Sequence, residues 1–201
     1  MIGIIDYGMG NIHSVAKALE SLGGKTIVVN APEELKNCDK LVLPGVGAFD
    51  DAVSELERKG LIDPLKEYIA DKKVFLGICL GMQLLFSESQ EAISKTGLGV
   101  LKGSVVRFQA KGLKVPQMGW NQLKVENKSC PLLQGIEDKE YVYFCHSYYP
   151  QPDEQKVVAA STDYGVKFSS IVWQENIFGV QFHPEKSQDT GIRILKNFVG
   201  L

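Results

Sequence analysis

Val74-Phe75-Leu76-Gly77-Ile78-Cys79-Leu80-Gly81-Met82-Gln83-Leu84-Leu85-Phe86 reads as a buried strand that turns sharply into a helix, with a cysteine at the turn. Glycine on either side of the cysteine permits close backbone approach, so the central side chain is lifted out at the end of a sheet. A thiol there gains twice. The N-terminus of the following helix favours the thiolate, which is the nucleophilic form, and the Leu80 amide is placed to donate to an oxyanion. With 20 Gly and 4 Cys in 201 residues, chance supplies a Gly-x-Cys-x-Gly pattern roughly 0.04 times in such a chain. For this segment alone the competing interpretation is a buried, inert cysteine on a tight turn.

A thiol nucleophile needs a base, and the chain offers three histidines. His183 ends an apolar run in Phe178-Gly179-Val180-Gln181-Phe182-His183-Pro184-Glu185. Residues two apart on an extended chain share a face, so His183 and Glu185 project together, and Pro184 marks where strand pairing stops. A carboxylate beside an imidazole fixes its tautomer and stabilises the imidazolium. Cys79, His183 and Glu185 are therefore a candidate triad, against the plainer alternative of a strand-end histidine with a surface acid. His13, on an expected helix, and His146, in Tyr143-Phe144-Cys145-His146-Ser147-Tyr148-Tyr149, have no carboxylate at that spacing. A third segment, Leu41-Val42-Leu43-Pro44-Gly45-Val46-Gly47-Ala48-Phe49, ends a strand in Pro-Gly-x-Gly. Strand C-terminal ends gather at one crevice in doubly wound folds, so its mobile amides are candidates to complete an oxyanion hole with that of Leu80; an ordinary glycine-rich turn is the alternative.

Other motifs fail on inspection. Gly8-x-Gly10 follows the first strand, but position 13 is histidine and Asn30 stands where a ribose-binding acid is expected, which argues against a dinucleotide site. There is no phosphate-binding loop, and the scattered cysteines and histidines lack metal-ligand spacing. No cofactor and no metal are expected.

Outward from these segments, the first hundred residues alternate short apolar runs with helical periodicity. Strands are expected at 2–5, 26–29, 41–43 and 74–76, and helices around Ile12, Val15, Ala16, Leu19 and Leu22 and over about 48–58 and 61–71. Continuous rather than alternating apolar strands point to a parallel sheet covered on both faces. From about 104 to 182 strands dominate, at 104–108, 141–145, 157–160, 171–173 and 178–182, and a helix over 188–199 closes the chain. The expected class is α/β: a central, mostly parallel sheet flanked by helices, with additional antiparallel strands in the C-terminal half. At 201 residues, 44% hydrophobic and 23% charged with a net charge of −2, one domain over 1–201 is expected, with a core large enough to need no disulfide or structural metal. The balanced charge argues against nucleic acid as a partner. No apolar run approaches the ~18 residues of a membrane span, and four scattered cysteines read as thiols in a reducing compartment. Neither membrane nor secretory path is expected, and the location is expected to be cytoplasmic.

Together these residues resemble the class I glutamine amidotransferase family. Gly77 to Gln83 is similar to its nucleophile elbow, Pro44 to Gly47 to its oxyanion strand, and Phe182 to Glu185 to its His/Glu pair, in the family's order and across the whole chain. The resemblance implies that Cys79 attacks the side-chain amide of L-glutamine, that His183, oriented by Glu185, protonates the departing ammonia, and that backbone near Val46, Gly47 and Leu80 holds the oxyanion. It also implies substrate contacts from Gln83 and from Ser147 and Tyr148, with Glu91 a candidate for the ammonium group. Asp6 to Ile12, Met82, Met118-Gly-Trp-Asn121, Tyr143 to Tyr149 and the lysine of His183 to Ser187 are similar to members that serve a (β/α)8-barrel cyclase in histidine biosynthesis. Gln117 departs from the histidine associated with many of these members. The implied assembly is a heterodimer with that cyclase subunit, with Asn11, Met118, Trp120 and Lys186 at the interface; a core position for Trp120 and a helix cap for Asn11 are their plainer readings. A partner is expected on chemical grounds too, because ammonia released into neutral water is mostly protonated. The alternatives are the glutaminase subunit of anthranilate, aminodeoxychorismate or pyridoxal phosphate synthase, and a non-catalytic binding domain of the same fold. The glycine-rich strand at 45–47 is the expected gate.

Overall fold

The computed structural model describes residues 1–109 and 112–201. Its first half runs β1 (Ile2–Ile5), α1 (Ile12–Ser21), β2 (Thr26–Val29), β3 (Lys40–Gly45), α2 (Phe49–Arg58), α3 (Ile62–Ala70) and β4 (Val74–Cys79). A single turn, α4 (Leu80–Gln83), follows and leads into β5 (Phe86–Ser89). The second half contains β6 (Leu101–Arg107), β7 (Gln117–Gln122), β8 (Lys124–Val125), β9 (Tyr141–His146), β10 (Tyr148–Pro152), β11 (Val158–Asp163), β12 (Lys167–Gln174), β13 (Ile177–Val180) and α5 (Gln188–Gly200).

The central sheet has eight strands in the order β2-β1-β3-β4-β13-β12-β11-β8. β2, β1, β3, β4 and β13 are parallel, and β12, β11 and β8 extend the sheet antiparallel. Two small sheets, β10-β6-β5 and β7-β9, lie outside it. The expected mixture of parallel core and antiparallel additions is therefore present, with β13 inserted beside β4 as a late strand that joins the parallel part of the central sheet.

Apolar runs without alternation are explained by burial on both faces. Successive side chains of a strand point to opposite sides. Ile4, Val42, Leu76 and Ile78 accordingly pack with Val15 and Leu19 of α1 and Ile194, Leu195 and Phe198 of α5. Ile5, Leu41, Leu43 and Phe75 pack with Phe49, Val53 and Leu56 of α2 and Leu65 and Ile69 of α3.

One expectation is corrected. The helix after Cys79 is a single turn, because Leu84, Leu85 and Phe86 are all fully buried. A helix carrying three consecutive core residues would have to be covered all round; the chain instead turns into β5, where Phe86 pairs with Leu101. A four-residue turn has little macrodipole, so electrostatic support for the Cys79 sulfur has to come from side chains. Strand limits also shift: β6 begins at Leu101, β11 reaches Asp163, and β13 ends at Val180, which leaves Gln181 to His183 beyond the ladder.

The elbow is shaped by backbone touching backbone. A Cβ on Gly81 would lie inside the carbonyl oxygen of Leu43, and one on Gly77 would lie 2.6 Å from the carbonyl carbon of Gly81. Gly81→Ala is expected to destabilise the chain by about 3 kcal/mol, a large overpacking effect, measured by urea denaturation; a loss under about 0.5 kcal/mol would show that the elbow relaxes freely.

Candidate active site

The C-terminal ends of β3, β4 and β13 converge, with Gly45 paired to Cys79 on one side and Val180 paired to Ile78 on the other. Cys79 has φ 55 and ψ −110, a left-handed conformation that costs a non-glycine residue about 1–3 kcal/mol and is retained only where the surroundings enforce it. Its sulfur lies 4.0 Å from the Cys145 carbonyl oxygen and 3.8 Å from Nε2 of Gln181.

His183 is delivered by the segment that leaves β13. Its amide donates to the Tyr143 carbonyl at 3.0 Å, and its own carbonyl accepts the Ser187 hydroxyl at 2.6 Å. Ser187 Oγ also accepts the Tyr143 amide at 2.9 Å, which clamps β9 to the histidine. Nδ1 of His183 donates to Glu185 Oε1 at 3.0 Å. Burial alone would lower the imidazole's pKa, but hydrogen bonds and charge attraction from Cys79 and Glu185 outweigh it and push the value up to about 10. The Glu185 side chain is 1% exposed, and among the described residues its Oε2 has no hydrogen-bond partner. The buried carboxylate therefore acts on the imidazole alone. Cys79 and His183 line one cavity, with Glu185 bonded to the imidazole.

A cavity of about 300 Å³ opens over Cys79 and His183. Val46, Gly47, Leu80, Gln83, Ser147 and Tyr148 all line it, as do Glu91 and Lys186. The Val46 amide is bound to the Met9 carbonyl at 3.2 Å. Gly47, with φ +98, follows it. Gln83 donates through Nε2 to the Tyr148 carbonyl at 3.0 Å and to Gln181 Oε1 at 3.1 Å. Glu91 accepts the Phe49 amide at 3.1 Å, and burial, with smaller repulsion from Asp50 and Asp51, holds its pKa above the usual carboxylate range. A cation bound beside it would relieve that penalty.

His146 is a wall residue rather than a second base. Burial pushes its pKa down to about 4, against a smaller opposing effect of the hydrogen bond to Tyr148. Nδ1 donates to the Tyr148 carbonyl at 2.7 Å. The Gln117 side-chain amide lies 3.1 Å from Nε2; because Nδ1 holds the proton, Nε2 accepts and the amide nitrogen belongs on that side. Glutamine thus satisfies a buried ring at the position where many relatives were expected to carry histidine.

On β7, Met118 is 65% exposed and Trp120 46% exposed. Trp120 stands edge-on to Tyr143 with centroids 5.9 Å apart, so it is not core. Asn11 occupies the N-cap position of α1, but its side chain makes no capping hydrogen bond. His13 is exposed. Gln181 was not singled out in the sequence; a polar residue inside the apolar run 178–182 was the available signal. Among the described residues no three His, Cys, Asp or Glu side chains converge as a metal site, and no helix is long and apolar enough to cross a membrane.

A family model described as glutamine amidotransferase class-I matches residues 3–200. A protein of Desulfitobacterium hafniense (strain DSM 10664 / DCB-2), named imidazole glycerol phosphate synthase subunit HisH, is 54% identical over 198 residues, 98% of this chain and 93% of its own length. One of the same name from Syntrophotalea carbinolica is 50% identical over 204 residues, covering 98% of each chain. The solved structure of PurLQS from Thermotoga maritima matches with a TM-score of 0.80 at 20% identity, over 99% of this chain and 97% of that one, a likeness of fold.

The buried, neutral His146 carries a pH signature. With the folded value near 4 and an unfolded value near 6.5, only the unfolded chain takes up a proton between them, so stability falls as pH drops through that window. Urea midpoints are expected to show the native chain losing about 2 kcal/mol more than His146→Phe between pH 7 and pH 5. Parallel losses in the two proteins would contradict this.

Proposed function

The chain belongs to the class-I glutamine amidotransferase family, and from that premise we propose that it hydrolyses L-glutamine as the glutaminase subunit of imidazole glycerol phosphate synthase, in histidine biosynthesis. Relatives at 54% and 50% identity bearing that name support the reading. The observation that carries the chemistry is an imidazole that shares one cavity with the thiol and is hydrogen-bonded to a buried carboxylate.

In the proposed mechanism the Cys79 sulfur attacks the side-chain amide carbon of glutamine, and the carbonyl oxygen becomes an oxyanion. His183 gives its proton to the departing nitrogen, which leaves as ammonia, and a glutamyl thioester remains on Cys79. A water molecule, relieved of a proton by His183, then adds to the thioester; glutamate departs and the thiol is regenerated. Glu185 keeps Nδ1 protonated throughout. Gln83, Ser147 and Tyr148 orient the substrate, and Glu91 receives its ammonium group, an assignment supported by their common cavity and by the burial of Glu91.

The oxyanion hole is half assembled in this reading. Leu80 follows the elbow directly, whereas Val46 must give up Met9 before its amide turns inward. Glycine on both sides of Val46 lowers the steric cost of turning that peptide. We assign the trigger to the partner, a (β/α)8-barrel cyclase subunit that docks as a heterodimer on the rim formed by Asn11, Met118, Trp120 and Lys186 and takes up ammonia directly. Residues 1–201 serve as one glutaminase domain, and the four free cysteines fit a reducing cytoplasm.

Cys79→Ala is expected to lower glutamine hydrolysis by the complex with the cyclase subunit by about a thousandfold or more; unchanged turnover in a coupled glutamate assay would remove the nucleophile. Trp120→Ala is expected to weaken that complex by about tenfold in calorimetric titration while leaving the melting temperature in place. If ammonia reaches product only when the chain is mixed with anthranilate, aminodeoxychorismate or pyridoxal phosphate synthase, the cyclase assignment fails.

A further inference from the structure

Gln181 is fully buried and lies one residue beyond the Val180–Ile78 pairing, level with Cys79 and on the side opposite Gly45. Its amide N–H donates to the Ser170 carbonyl at 2.9 Å, which holds the backbone beside the elbow. The orientation of its side chain follows from a chain of donors and acceptors. The Tyr148 carbonyl is an acceptor only, so Gln83 must present its Nε2 to it. The same Nε2 lies 3.1 Å from the Gln181 side chain, where it requires an oxygen. Gln181 must therefore point Oε1 at Gln83 and Nε2 at the Cys79 sulfur, 3.8 Å away. A flipped Gln181 would set donor against donor, and flipping both amides would set the Gln83 oxygen against the Tyr148 carbonyl.

An N–H aimed at a sulfur stabilises the charged form more than the neutral one, since a thiol is a weak acceptor and a thiolate a full charge. We propose that Gln181 is a positioning residue of the nucleophile: its amide holds the Cys79 sulfur as a thiolate facing the cavity and ties it to the orientation of Gln83. The inference rests on Cys79 being the nucleophile. Other groups around the sulfur are His183, with Glu185 behind it, and Cys145 and His146 from β9. Tyr7, from the segment after β1, has its pKa raised by burial and then by Cys79. His183 supplies the countercharge. Gln181 supplies a donor that does not titrate, so its effect persists across the working pH range.

The test is the pH profile of iodoacetamide alkylation of the full chain, resolved by peptide mass spectrometry. In Gln181→Met, alkylation of Cys79 at neutral pH is expected to slow about tenfold and its profile to move to higher pH, with Cys145 as an internal reference and circular dichroism reporting the fold. Gln181→Glu keeps an oxygen for Gln83 but has no N–H for the sulfur, and the same loss is expected. A Cys79 profile that superimposes on that of the native chain in a folded variant overturns the proposal. Should both variants unfold, the side-chain ¹⁵N amide resonances of Gln181 in the unsubstituted chain decide: they are expected to follow the titration of Cys79, and resonances that stay still overturn it. Failure of Cys79→Ala to abolish glutamine hydrolysis would instead overturn the proposed function, so the two failures are distinct.

Discussion

The close approach of the Gly81 backbone to the Leu43 carbonyl is the constraint on which the rest of the site depends. Only residues without a Cβ allow β4 to turn back so tightly against its neighbour β3, and the turn leaves Cys79 at φ 55. That conformation costs energy locally, and the packing of β3, β4 and β13, fully buried on both sides, holds it in place. The parallel register then determines which residues flank the sulfur: Gly45 from β3 and the segment just past Val180 from β13. Cys79, Gln181 and the glycine-rich strand are thus brought level by sheet geometry.

Electrostatics takes over where that geometry ends. Expected support from a helix dipole is small because α4 is one turn long, and the imidazole carries the burden instead. Burial works against a charged His183, yet the thiol and the carboxylate together reverse the sign. Glu185 has one oxygen on the ring and the other unpartnered among the described residues, so its charge is not diluted by competing donors. The Tyr148 carbonyl has a comparable organising role in the opposite wall, where it accepts both Gln83 Nε2 and His146 Nδ1. One backbone oxygen therefore fixes a tautomer and an amide orientation at once.

Much of this was legible along the chain. The strand–elbow segment, the His183–Glu185 spacing and the apolar strands each have a local cause, namely glycine at a turn, period two, and two-sided burial. What was not legible depends on contacts between distant segments. The brevity of α4 follows from where Leu84 to Phe86 find cover, and the run alone reads equally well as helix. β7 is hard to read because Gln117-Met118-Gly119-Trp120-Asn121-Gln122 alternates over only two apolar residues, interrupted by a glycine; it pairs with β9 outside the main sheet, with Met118 and Trp120 left exposed. Gln181 looks like one polar residue in an apolar strand until the register sets it beside Cys79. The bond between Val46 and Met9 joins two loops, each of which reads as an ordinary glycine-rich turn.

That last bond bears on how such a site is controlled. The imidazole is already bonded to the carboxylate and shares one cavity with the thiol, so the proton-transfer arm needs little rearrangement. The oxyanion arm needs more, and under the proposed function its cost is the exchange of one backbone hydrogen bond, about 1 kcal/mol net, plus the turning of a peptide flanked by Gly45 and Gly47. Under the same proposal, a partner interface gains several times that amount if it buries exposed side chains such as Trp120 and Met118. A hydrogen bond this modest biases the resting peptide by about fivefold, which is weak enough for docking to reverse. Had the constraint been placed on the elbow instead, relieving it would have meant breaking the Gly81–Leu43 packing, which also holds Cys79 in position.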